Sequence, residues 1–119
     1  WLKKYDIDAD SVAVLAPFSG QVITHFNIRA QKGIKPTQPL IDEYAPLSFV
    51  RSDCPPILIV SGDRNLELYG RYEETAYFWR LFQLVGHKAA YLYELDGFDH
   101  GVMYAPACHI LIEYIKKNI

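Results

Sequence analysis

Short apolar runs, each closed by Gly, Pro or Asp, punctuate the chain. Ser11–Ala16 (SVAVLA) lies between Asp10 and Pro17, and Ile57–Val60 (ILIV) lies between Pro55-Pro56 and Ser61-Gly62-Asp63. Both runs are continuous rather than alternating, which suits strands buried on two faces of a parallel sheet. Residues 88–95 (KAAYLYEL) read as a third strand, with Tyr91, Tyr93 and Leu95 on one face. Between the second and third runs, Phe78, Leu81, Phe82 and Val85 recur at helical spacing while Arg71, Glu73, Glu74 and Arg80 stay off that stripe. The pattern predicts a helix over 70–85, stopped by Gly86. A last helix is expected from Pro106, with Cys108, Leu111, Ile112 and Ile115 buried and Lys116 and Lys117 at its C-terminal end. Residues 1–5 read as the tail of a helix, with Leu2 facing the core. Residues 21–56 have weak periodicity and five prolines, and are expected to form a long excursion with one short helix over 39–44. Strands separated by helices define an α/β fold with right-handed crossovers, three parallel strands and flanking helices.

Composition narrows the function classes. The chain has 119 residues, half of them apolar, which is one domain able to bury a core. Twelve Lys and Arg stand against 14 Asp and Glu, and no basic run exceeds two residues, so a nucleic-acid footprint has no support. No apolar run approaches the roughly 20 residues that a membrane span needs. Cys54 and Cys108 are too few for a disulfide scaffold and are expected to be buried free thiols.

The chemistry-bearing residues gather at one edge. In an open parallel sheet the crevice lies beyond the carboxyl ends of the strands. Three loops leave such ends: 17–20, 61–68 and 96–103. The second carries Asp63, Arg64, Asn65 and Glu67, and the third carries Asp96, Asp99 and His100. An acid loop meeting a histidine loop is how nucleophilic hydrolases assemble a base and its orienting carboxylate. His100, between Asp99 and Gly101, is the candidate base. The competing reading is an ordinary loop histidine that caps carbonyls. His25, His87 and His109 have no metal-ligand spacing with one another, and no phosphate-cradling glycine motif occurs. Neither a metal nor any other cofactor is implied.

Together these segments resemble the C-terminal half of an α/β-hydrolase, in the branch of esterases, lipases, carboxylesterases and feruloyl-esterase-like enzymes. Pro55-Pro56-Ile57-Leu58-Ile59-Val60-Ser61-Gly62-Asp63 is similar to that family's strand and acid loop. Residues 72–87, ending Leu84-Val85-Gly86-His87, are similar to the helix that follows, and 93–103 (YELDGFDHGVM) to its histidine loop. The resemblance covers nearly the whole chain and is weakest over 21–45. It implies a small-molecule ester substrate, His100 as general base and acid, and Ser19, Phe98 and Met103 near an acyl or alcohol pocket.

The chain departs from the family pattern at two points. The family's nucleophile elbow, G-x-S-x-G, is missing: of Ser11, Ser19, Ser48, Ser52 and Ser61, none has glycine at both −2 and +2. A chain that opens on Trp1 rather than Met is expected to be a processed product or a piece of a longer polypeptide. The elbow and oxyanion loop would then lie upstream, leaving 1–119 as an incomplete sheet. The family's acid register, three residues after Gly62, falls on Asn65, so Asp63, Asn65 and Glu67 all stay open as the acid. Two other readings compete: a non-catalytic binding or interaction module of the same fold, and an independent small α/β domain. An apolar sheet with bare faces is also expected to associate, either with a second copy or with the missing N-terminal half.

Overall fold

A computed structural model describes residues 2–119. Two strands, β1 (Ile57–Gly62) and β2 (Ala90–Leu95), pair in parallel, in register from Ile57 opposite Ala90 to Gly62 opposite Leu95. Every residue of β1 is buried, as its continuous apolar run demands. Among the described residues three α-helices accompany them: α1 (Phe26–Gln31), α2 (Arg71–Leu84) and α3 (Tyr104–Asn118). The connection from β1 to β2 runs through α2, the crossover that parallel pairing requires.

β1 is the central strand, because a third segment pairs with its other side. This is the outcome for the strand expected over 11–16, and the pairing lies further along the chain. Ala9–Ser11 is a 3-10 turn, and contact with β1 is made at Leu15 and Phe18. Leu15 donates to Pro56 O at 2.8 Å and accepts from Leu58 N at 2.8 Å; Val60 N then reaches Pro17 O at 3.1 Å, and Ser19 N reaches Val60 O at 2.7 Å. The rung between these two couplets would need an N–H on residue 17. Proline has none, so the segment forms isolated bridges rather than a ladder.

The core has two halves. On one face of the sheet Ile57 and Ile59 pack with Val22, Leu47, Phe78 and Phe82, where the Phe78 and Phe82 rings meet edge to face at 4.9 Å. On the other, Val60 packs with Met103 and Ala107. α2 buries Phe78 and Phe82 as its spacing predicts, but Val85 is exposed past the helix end. Gly86, at φ +81°, makes the left-handed stop there.

α3 differs from the expected stripe. Met103 and Ala107 face inward, while Cys108, Ile112 and Ile115 are exposed. Apolar residues lie on both sides of this helix, so spacing alone picked the wrong stripe. Cys108 is therefore not a buried thiol, and Cys54 is only partly buried. At the other end, Leu2–Tyr5 forms a 3-10 turn with no buried residue, so Leu2 is not a core residue; Trp1 lies outside the described residues.

The excursion holds no helix over 39–44. Its helix is α1, whose N-terminus is capped by His25, with Nδ1 accepting from Asn27 N at 3.2 Å. Polar side chains organise the rest. The buried Arg29 guanidinium donates to Thr24 O at 3.0 Å and to Gln38 O at 2.8 Å. Thr24 also donates its hydroxyl to Asp42 at 2.6 Å, which helps hold the Asp42 carboxyl down at about 2. These bonds satisfy the backbone that Pro36 and Pro39 leave without a regular ladder.

Candidate active site

The carboxyl ends of β1 and β2 and the turn at Ser19 converge on one edge, as the strand order requires. Within 96–103, Asp99 folds back on the chain: its Oδ1 accepts from Gly101 N at 2.8 Å and from Val102 N at 3.1 Å. This Asx turn carries His100 out over the end of β1.

The three candidate acids separate clearly. Asp63 accepts from Asn65 N at 2.8 Å and from Gly97 N at 2.9 Å, pinning the acid loop to the histidine loop. Those two backbone donors, Gly97 first, hold its carboxyl below the usual aspartate range. Its two backbone bonds tie it to the loops, and no bond runs from it to the imidazole. Asn65 is exposed, and its side chain hydrogen-bonds Asp63. Glu67 is the acid that meets the imidazole: Oε2 lies 3.1 Å from His100 Nδ1, and the Glu67 side chain is fully buried.

Glu67 is heavily coordinated. Its Oε1 accepts from Gly62 N at 2.9 Å, its Oε2 accepts from Leu68 N at 3.1 Å, and the Ser19 hydroxyl also bonds to the carboxylate. Burial pushes this carboxyl upward. The hydrogen bonds from Ser19, Gly62 and Leu68, with His100 alongside, outweigh burial and leave it below the usual glutamate range. It is an anion at neutral pH, held in one orientation.

Ser19 Oγ also lies 2.8 Å from His100 Nδ1. Both close contacts of the imidazole thus fall on Nδ1. A bare Nδ1 lone pair 3.1 Å from a carboxylate would be repelled, so Nδ1 carries the proton and Nε2 is the basic nitrogen. No hydrogen bond reaches Nε2 among the described residues. The imidazole is nearly half exposed.

The residues expected near a pocket have different surroundings. Ser19 is buried and sits on the acid side of the imidazole. Phe98 is partly exposed, and its carbonyl accepts from Asp63 N at 2.8 Å. Met103 is buried in the α3-side core. Arg71 was outside the expected site, yet its guanidinium donates to Ser19 O. Its position in the first turn of α2, one residue after the left-handed Gly70, is the sequence signal that places it there.

Gly62 is required by close approach rather than by its torsion. A Cβ there would lie 2.5 Å from Phe98 O and 2.9 Å from Glu67 Oε1. Gly62→Ala is expected to destabilise the fold by about 1–3 kcal/mol and to move Glu67 off His100. Urea unfolding measures the first effect, and the His100 ring nitrogen shifts report the second.

No family model matches the chain, and no curated protein does. Among solved structures, the chain is similar to a thermophilic esterase, Est2 from the planctomycete Thermogutta terrifontis, determined with propionate bound. The TM-score is 0.64 at 16% identity, over 94% of this chain and 48% of that one. The chain thus has the α/β fold of part of an esterase structure and spans about half of its length. No helix among the described residues is long and apolar enough to cross a membrane.

Proposed function

We propose that the chain is the C-terminal half of an α/β-hydrolase domain that cleaves carboxylic esters of small molecules, with His100 as general base and acid and Glu67 as its orienting carboxylate. The observation that carries this reading is the asymmetry of the imidazole. Nδ1 is engaged by a buried anion at 3.1 Å, while Nε2 has no hydrogen-bond partner among the described residues and the side chain is 42% exposed. That is the arrangement a serine nucleophile needs.

In this reading the nucleophilic serine and the oxyanion donors come from polypeptide upstream of Trp1. Among the described residues Ser19 is the only serine bonded to His100, and it bonds on the Nδ1 side, away from the nitrogen that would take a nucleophile's proton. The reaction is acyl transfer. Nε2 accepts the serine proton as the hydroxyl attacks the ester carbonyl, then returns it to the leaving alkoxide. Glu67 holds the ring and stabilises the imidazolium between those steps. The binding-module alternative leans on Asn65 as a defective acid, yet Asn65 bonds to Asp63 rather than to His100.

Hydrolysis of a short-chain p-nitrophenyl ester tests the proposal. The full-length polypeptide is expected to turn it over, and His100→Ala to reduce turnover to background. The isolated 119 residues are expected to show background hydrolysis only. Full-length activity indifferent to His100→Ala overturns the assignment, and His100-dependent turnover by the isolated chain overturns the upstream nucleophile.

A further inference from the structure

We infer that Ser19 is a positioning residue that fixes which nitrogen of His100 carries the proton. The role rests on the hydrolase reading only in what the imidazole is for, because the arrangement itself is a property of this chain.

Three observations converge on Ser19. The first is its backbone: φ is +47°, a left-handed conformation that few residues other than glycine adopt. Pro17 and Gly20 flank this turn, and a Cβ on Gly20 would crowd Pro17 at 3.3 Å, so the chain is folded tightly on itself here. The second is how the turn is held. Ser19 N donates to Val60 O at 2.7 Å, anchoring it to the central strand, while Ser19 O accepts from the Arg71 guanidinium. Arg71 is itself locked, with Nε 3.0 Å from Glu74 Oε1, and both side chains are nine-tenths buried. A strained residue is thus over-determined from both sides, which is how such strain persists.

The third is the surroundings of the hydroxyl. Ser19 Oγ has two donors near it: the Arg71 guanidinium at 3.5 Å and, by the charge argument above, His100 Nδ1–H at 2.8 Å. The Glu67 carboxylate, which lies 3.1 Å from the same Nδ1, is the acceptor beside it for its own proton. The hydroxyl therefore accepts a share of the Nδ1–H bond and donates to the acid. It closes a three-membered network of Ser19, Glu67 and His100, in which each group enforces the others' orientation. With the Nε2–H tautomer the network would face Glu67 and Ser19 with a lone pair instead of a donor.

The test is long-range nitrogen–proton NMR of the histidine rings in the 119-residue chain at a pH where His100 is neutral. The expected wild-type spectrum shows His100 mainly as the Nδ1–H tautomer. Ser19→Ala and Ser19→Gly remove the hydroxyl, and glycine also accepts the positive φ, so the second variant keeps the turn and the carbonyl that Arg71 holds. Both are expected to lower the ratio of Nδ1–H to Nε2–H by about tenfold, as loss of one charge-assisted hydrogen bond implies. An unchanged ratio in a folded Ser19→Gly chain overturns the inference, as does a wild-type spectrum dominated by Nε2–H. Ester hydrolysis is read separately. A tautomer shift in a protein without His100-dependent hydrolysis sustains Ser19's role and removes the hydrolase reading.

Discussion

If the proposed hydrolase reading holds, Glu67→Gln in the longer polypeptide it calls for is expected to lower kcat by roughly 10⁴, with KM little changed, while Asn65→Ala leaves both near wild type. The two residues are only two positions apart, and the register of the family that the sequence resembles falls on Asn65. What separates them is geometry: Glu67 stands 3.1 Å from His100 Nδ1 with its side chain fully buried, and Asn65 points to Asp63. A glutamine keeps the shape and loses the charge. It can no longer stabilise the imidazolium, and its amide can present a donor to Nδ1, which selects the unproductive tautomer. Asp63→Asn is a different kind of variant, because Asp63 clamps the two loops through Gly97 N and Asn65 N. Its expected effect is on unfolding. Steady-state kinetics on the three variants separate the roles, and equal losses for Asn65→Ala and Glu67→Gln would reject Glu67 as the acid.

The depressed carboxyls also set a sign for the pH dependence. Glu67, Asp63 and Asp42 all lie below their usual values in the folded chain. Each contributes stability that is in place above its unfolded value. That stability is lost as the pH falls through the folded value, which for Asp42 is about 2.

The chain on its own is expected to sediment above 13.7 kDa at micromolar concentration. One face of α3 carries Cys108, Ile112 and Ile115 at positions a helix stacks together, the cap residue Ile119 continues it, and all four are exposed. Leu15 on the outer seam of the sheet, and Val12 ahead of it, are also exposed. Burying a half-exposed isoleucine against a partner stabilises association by about 1 kcal/mol, so several together favour a second copy or another polypeptide over water. Ile112→Lys with Ile115→Lys is expected to shift the population toward monomer without unfolding it. A monodisperse, protease-resistant wild-type monomer would contradict the expectation.

The sequence was legible where one physical constraint dominated. Ile57–Val60 could only be a buried strand, and 70–85 carried a single apolar stripe ended by Gly86. Both elements fall within two residues of their expected bounds. α3 was misread because apolar residues occupy more than one side, so periodicity no longer chose a face. The first strand was displaced because SVAVLA satisfies composition, whereas pairing is decided by which carbonyls and N–H groups of β1 remain open. The excursion's order comes from Arg29, Thr24 and Asp42, whose bonds depend on three-dimensional proximity rather than spacing. At the site, His100 and the acid loop were readable from topology. Which acid side chain reaches the imidazole was not, because that depends on how Asp63 turns the loop between them.

The gap at Pro17 has a mechanical consequence. A regular ladder transmits a pull as one cooperative zipper, but this seam is two couplets separated by a blank. Load applied from the N-terminus is carried first by the Leu15 couplet. Its rupture leaves the Val60–Pro17 and Ser19–Val60 rungs engaged. The proline thus acts as a firebreak, and damage or remodelling of the first dozen residues can stop short of the serine beneath the histidine.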